Sequence, residues 1–149
     1  MKSINKMKMT IPAVSANEGL ARLCVSAFAS QLDPRIDEIA DIRTAVSEAV
    51  TNCIIHAYKG RGGLIYIESL LYPDRITVKI KDKGCGIDDI DKAMEPLFTT
   101  GGDDRSGLGF SVMQSFMDSV KVKSGPSEGT TVSMTKILRR ADEGNPDER

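Results

Sequence analysis

The chain has 149 residues, of which 40% are hydrophobic and 28% charged. That is the size and balance of one ordinary globular domain, not of a disordered or fibrous chain. A net charge of −1 excludes a global basic field for nucleic acid or an anionic membrane, and no apolar run approaches the ~18 residues of a membrane span.

In chain order, Met7 to Val14 alternates as a strand does, and Pro12 favours an edge position. Ser15 or Asn17 can cap a helix running to about Leu32, with Leu20, Leu23, Cys24, Ala27 and Phe28 as its expected buried face. Asp33-Pro34 breaks the chain. A second helix is expected from about Ile36 to Tyr58, on an apolar stripe of Ile39, Ile42, Val46, Ala49, Val50 and Cys53. After a Lys59-Gly60-Arg61-Gly62-Gly63 turn, Leu64 to Tyr72 and Ile76 to Asp82 read as a hairpin around Pro73-Asp74-Arg75. An irregular stretch to Ser106 leads into a third helix, Gly107 to Ser119. Val120 to Lys123 and Thr130 to Leu138 close the domain around Gly125-Pro126-Ser127-Glu128-Gly129. The domain is expected to span residues 1–138, followed by a charged tail, 139–149, without apolar periodicity. Hairpin-paired strands separated from helices indicate an α+β two-layer sandwich. Met1-Lys2-Ser3-Ile4-Asn5-Lys6 lacks the apolar stretch of a signal peptide. The three cysteines show no metal-ligand spacing, so free thiols in a reducing cytoplasm are expected.

Three short motifs carry chemistry. Glu48 and Asn52 are four apart and stack on one side of the second helix, roughly 110–150° from the centre of its apolar stripe. They can line a cleft, with a carboxamide oxygen suited to Mg²⁺ and a carboxylate that orients or deprotonates a hydroxyl; or they are simply solvated. Asp82 ends a strand before Gly84 and Gly86, where glycines permit close backbone approach to a ligand. Its carboxylate can accept from the exocyclic amine of adenine, or cap a tight turn. Gly107-Leu108-Gly109 opens a helix whose free amides can hold phosphate, though it is also an ordinary glycine-rich helix entry. It is neither a Walker A loop nor a dinucleotide fingerprint. Between the glycine motifs, Pro96 to Ser106 looks like a lid. Arg105 there either reaches a terminal phosphate or neutralises Asp103 and Asp104.

The ordered set, a Glu48/Asn52 helix, Asp82-x-Gly84-x-Gly86, a lid, Gly107-x-Gly109 and Gly129-Thr130-Thr131, resembles the Bergerat-fold ATPases over about Met7 to Leu138. Val46 to Tyr58 looks like the asparagine-bearing helix of their anti-sigma serine kinase branch. Pro96-Leu97-Phe98-Thr99-Thr100, Arg105 to Phe110, Phe116-Met117-Asp118 and Leu32-Asp33-Pro34 strengthen the likeness. The resemblance implies a mixed sheet covered on one face by helices, with ATP or ADP and Mg²⁺ as cofactors. It implies that Asn52 ligates Mg²⁺ and Asp82 holds adenine, with Gly84 and Gly86 shaping the base pocket. Gly107, Leu108 and Gly109 would cradle phosphate, Thr130 would support the adenine side, and Glu48 and Arg105 would serve catalysis. Implied partners are a sporulation sigma factor, an anti-anti-sigma protein phosphorylated on serine, and a second copy of the chain; neither nucleic acid nor membrane is expected. The general-stress relatives of that branch, or a nucleotide-dependent binding module without kinase activity, are the alternatives. Arg22 lies 160–200° from the Leu20/Cys24/Ala27 face and is either simply solvated or the candidate partner contact. Cys53 and Cys85 depart from the usual pattern, and Cys85 would make nucleotide binding sensitive to thiol reagents. His56 lies within the nucleotide helix with no dimerisation helix before it, which argues against a phosphohistidine.

Overall fold

The computed structural model describes residues 2–94 and 109–139. Five strands form one sheet: β1 (Asn5–Pro12), β2 (Leu64–Leu71), β3 (Arg75–Asp82), β4 (Ser119–Ser124) and β5 (Thr130–Ile137), in the order β1-β2-β3-β5-β4. β1 is an edge strand, as Pro12 requires: a proline cannot donate to a second neighbour. All pairings are antiparallel, so the sheet is not mixed. β4 runs parallel to β3. β5 then folds back from β4 into the gap between them, and no parallel pair bonds directly.

α1 (Ala16–Ala29) and α2 (Ile36–Thr51) pack on each other, and α4 (Phe110–Phe116) packs on α2. The core forms where these helices meet the inward residues of the strands, including Ile65, Ile67, Ile80, Val132 and Met134. On α2 the expected stripe holds. Ile42, Val46, Ala49, Val50 and Cys53 are buried, while Ile39 is packed at the margin. The α2 entry is fixed by buried Glu38, whose carboxylate accepts from the Arg35 amide at 2.9 Å and from the Arg139 amide at 2.7 Å. The closing chain is thereby tied to the helix start; residues 140–149 of the expected tail lie outside the described residues.

α1 presents a different face from the expected one. Ala21, Val25, Ser26, Phe28 and Ala29 are buried, whereas Leu20 and Leu23 are 42% and 62% exposed and Ala27 is exposed. The helix is wedged against α2 and the β1/β2 edge, and close helix approach selects small side chains at the contact. Its leucines are left outside.

Two other boundaries differ. A short helix, α3 (Ile90–Ala93), capped by Asp89 accepting from the Lys92 amide at 3.0 Å, lies in the stretch expected to be irregular. α4 begins at Phe110 and not at Gly107, because Gly109 has φ +66° and the left-handed region cannot continue a right-handed helix. It ends at Phe116, where Met117 turns extended.

Candidate functional site

The expected second helix changes character at its functional end. From Asn52 to Ala57 the turn widens to a π-helix, with the Tyr58 amide bonding to the Cys53 carbonyl at 3.0 Å. Such widened turns concentrate at functional sites because they push side chains out of helical register. Asn52, Cys53, His56 and Ala57 all line a cavity of about 170 Å³. The opposite wall comes from the sheet, with Ile80, Asp82, Thr130 and Val132, and Ile87 and Phe110 close the sides. The volume suits one heterocycle more than a whole drug-sized ligand, whose pockets run ~300–1,000 Å³.

Asp82 is the polar centre of this apolar cavity and is nearly fully buried. Its Oδ1 accepts from the Gly84 amide at 2.9 Å and from the Thr130 amide at 3.2 Å, and the Cys53 thiol hydrogen-bonds the carboxylate. Burial pushes the Asp82 carboxyl above its ordinary value, against the opposing pull of Gly84, Cys53 and Thr130. Burial, and then the Asp82 charge, push the Cys53 thiol up as well, so it stays a protonated donor. A fixed acceptor among Ile80, Ile87, Phe110 and Val132 fits an exocyclic amine on a flat purine ring. Thr130 also joins its hydroxyl to that of Ser124 at 2.9 Å, which fixes β5 beside the carboxylate.

The loop after Asp82 is pressed onto the π-helical turn. The Cys85 amide bonds to the Ala57 carbonyl at 3.1 Å, and any side chain on Gly84 would collide with that same carbonyl. Gly86, with φ +77°, lines the cavity beyond it. Tyr58 locks the arrangement: its hydroxyl donates to the Leu64 carbonyl at 2.6 Å and accepts from the Lys83 amide at 2.7 Å. No motif in the sequence assigns a role to Tyr58 or to the Cys53 thiol. The available signal was a tyrosine directly after the helix, before Gly63, whose missing side chain leaves room for its ring.

At the other end of the cleft, half-buried Glu48 lies against Gly109, where any side chain would collide with its carboxylate. Burial raises the Glu48 pKa. The fold therefore brings together Glu48, Asn52, Asp82, Gly84, Gly86, Gly109 and Thr130 along one helix and the strand ends facing it. Arg105, Gly107 and Leu108 lie outside the described residues. Arg22 stands apart on α1. It is half-exposed and ion-paired with Glu18 at 3.2 Å, on the shoulder of the true buried face, so the angle reckoned from Leu20, Cys24 and Ala27 does not describe its setting. His56 lies at the cavity wall and Cys85 is exposed, its thiol donating to the His56 carbonyl at 3.4 Å.

An α+β sandwich with a carboxylate at a strand end, a base-sized cavity and an asparagine-bearing helix over it defines a nucleotide-binding ATPase domain. The family described as the histidine kinase-like ATPase domain matches residues 11–136. The chain is 53% identical over 141 residues to an anti-sigma F factor of Caldanaerobacter subterraneus, covering 94% of this chain and 99% of that one. It is 50% identical to an anti-sigma F factor of Clostridium acetobutylicum, over 89% and 93% of the two chains. Among solved structures, the RsbU and RsbW domains of a Mycobacterium tuberculosis protein align over 90% of this chain and 32% of that one, with TM-score 0.65 and 19% identity. The catalytic domain of the histidine kinase ThkA aligns over 94% and 99%, with TM-score 0.55 and 15% identity; both share the fold. The chain belongs to the histidine kinase-like ATPase family, in its anti-sigma F factor branch.

Proposed function

We propose that the chain is an anti-sigma factor that binds and inhibits a sporulation sigma factor of the sigma-F type, and a kinase that uses Mg-ATP to phosphorylate an anti-anti-sigma protein on serine. One observation carries the reading. A single helix supplies both ends of the cleft, with Cys53 on the Asp82 carboxylate at one end and Glu48 against Gly109 at the other. Asp82 would accept from the adenine amine, and Gly84 and Gly86 would let the ring lie against backbone. Asn52 would offer its carboxamide oxygen to Mg²⁺, which when bound supplies charge neutralisation for phosphoryl transfer. Gly109, with Gly107 and Leu108, would direct amides at the phosphates. Arg105 would reach the transferred group, and Thr130 would hold Asp82 in place.

Glu48 would orient and accept the proton of the incoming serine hydroxyl. Its burial-raised pKa makes it a stronger base than an exposed carboxylate. Arg22, flanked by exposed Leu20 and Leu23, would contact the sigma factor, with the serine-bearing antagonist competing for that surface. The edge strand β1 would serve assembly into a homodimer, since an unpaired edge invites another chain. The protein would act in the cytoplasm, where its free thiols stay reduced.

The test is radiolabel transfer from γ-labelled ATP to a purified anti-anti-sigma protein, followed by phosphoamino-acid analysis. Wild type should label serine. Glu48→Gln should keep ATP affinity and transfer ~10²–10⁴-fold more slowly. Equal rates would remove Glu48 from catalysis. ATP binding without any transfer would leave a nucleotide-dependent binding module, and absence of ATP binding at millimolar concentration would overturn the reading as a whole.

A further inference from the structure

The face of the sheet turned away from the helices belongs to none of these roles. Its register assembles a charge pattern from distant parts of the chain. One cross-strand row reads Lys8, Glu68, Lys79, Ser133, Lys121, and the next reads Thr10, Tyr66, Lys81, Thr131, Lys123. These residues are exposed or half-exposed, whereas their chain neighbours on β2, β3 and β5 are buried. Lys6 stands beside Lys8 on the edge strand, and the Lys83 ammonium lies 5.0 Å from the centre of the Tyr66 ring on the same face. Among the described residues of these rows, Glu68 is the only acid. It sits 3.8 Å from Lys6 and 3.6 Å from Lys8, so it offsets one charge of the seven. Among the described residues, this face gathers seven cations and one acid, against ten cations and thirteen acids elsewhere. Charge is therefore unevenly distributed over the described residues despite a net charge of −1.

We propose that this open face is a docking surface for the phosphate backbone of nucleic acid, bound without sequence preference. The observations separate that occupant from the others. A second copy placed face to face would bring fourteen lysines together at high repulsive cost. A protein partner calls for a core of apolar and aromatic anchors, from which lysine is depleted. Here the rows carry lysines with hydroxyls between them, and Tyr66 is their one aromatic. Lysines held at about 6.7 Å along each strand, on a sheet about 20 Å across, suit a regular polyanion and its release of counterions. Hydroxyls of Thr10, Thr131 and Ser133 supply neutral donors to phosphate oxygens, which position without specifying sequence. The cavity of the nucleotide site opens on the opposite side of the sheet, so the two surfaces can be occupied together.

The experiment is fluorescence anisotropy of the full chain with a fluorescein-labelled duplex of random sequence. At about 50 mM salt the wild type should bind at micromolar concentrations. Its log-log salt slope should lie near −3 to −5, as expected for about four to five phosphates at −0.9 each. The variant Lys79→Glu/Lys81→Glu/Lys121→Glu should lose more than tenfold in affinity while keeping ATP binding and oligomeric mass. The matching Lys→Gln variant should fall between it and wild type. A control with the same change in charge at exposed sites elsewhere, Arg43→Glu/Lys59→Glu/Arg61→Glu, should lose less than threefold. No wild-type binding at low salt overturns the proposal, as does equal loss in the control. Binding to phosphatidylserine vesicles in preference to duplex reassigns the face to a membrane. A change of oligomeric mass in the lysine variants reassigns it to a contact between copies.

Discussion

On its inner side the sheet presents Ile67, Ile80, Val132 and Met134 to the helices, and the same strands present Glu68, Lys79, Lys81 and Ser133 to solvent on the other. One alternating backbone thus carries two unlike chemistries back to back. Inside, polar groups appear singly, and the one carboxylate of the cavity is paired on several sides. Asp82 is held by Gly84, Thr130 and Cys53, because in a low-dielectric wall an unpaired carboxylate is costly. Outside, cations gather with little pairing, because water screens them. What separates a binding cavity from a docking surface in this domain is burial, and the strand supplies both from successive residues.

The contrast is sharpest at Ile80 and Lys81. Ile80→Ala should destabilise the fold by ~2–5 kcal/mol through lost burial and a cavity, and it should weaken ATP binding because Ile80 lines the site. Lys81→Ala should stay within ~0.5 kcal/mol of wild type. Urea unfolding of the two variants measures the gap, and similar losses would mean that both faces carry the fold. Next in size is Gly109→Ala. A side chain there faces both a left-handed backbone, costing about 1–2 kcal/mol, and the Glu48 carboxylate. Its Tm should fall and its ATP affinity should fall with it. A variant of unchanged affinity would show that the α4 start does not shape the site.

Tyr58→Phe should cost about 1 kcal/mol or somewhat more, since the Lys83 amide and the Leu64 carbonyl lose their shared partner. The loss should appear as faster hydrogen exchange at Lys83 and Gly84. Unchanged exchange would make the hydroxyl a bystander. The smallest effect is a pH dependence. Burial raises the Asp82 pKa above its ordinary 3.8, so the folded state holds that proton more tightly than the unfolded chain. The resulting stability is present below that value and is lost as pH rises through the raised one. Asp82→Asn keeps an acceptor for Gly84 and Thr130 but has no such titration. As pH rises from about 3.8 through the raised value, its Tm should rise relative to wild type, while its adenine affinity falls. A constant difference in Tm across that range would show that burial does not govern the carboxyl.

Much of this arrangement was legible before any coordinates. The α2 stripe is the clearest case: Ile42, Val46, Ala49 and Val50 recur at helical spacing and are buried, since a long helix packed on a sheet exposes one stripe to it. The strand-end placement of Asp82 before Gly84 and Gly86 was legible, since alternating glycines after a β run mark a close backbone approach, and the turn-capping bond from the Gly84 amide is present. The face of α1 was not legible. Leucines outrank alanines on any hydrophobic count, yet the narrow space between α2 and the strands takes Ala21, Ala29 and Ser26. The widened turn at Asn52–Ala57 was equally hidden, since its residues continue an ordinary helical pattern and only the docking of Cys85 on the Ala57 carbonyl marks the change.

By itself the sequence determined the five strands and the two long helices, the hairpin of β2 and β3 and the residue types at the cleft, because periodicity and turn chemistry act between near neighbours. Tertiary structure alone decided how the sequence-distant strands became neighbours. Inserting β5 between β3 and β4 made the sheet antiparallel throughout and set the Thr130 amide on Asp82. It also set Lys79 two strands from Lys121 in one row. Lysines at 6, 8, 79, 81, 121 and 123 are scattered in a chain of nearly zero net charge. They become a single field only when the sheet's register lays them side by side, since electrostatic potential sums over distance in space and not over separation in sequence.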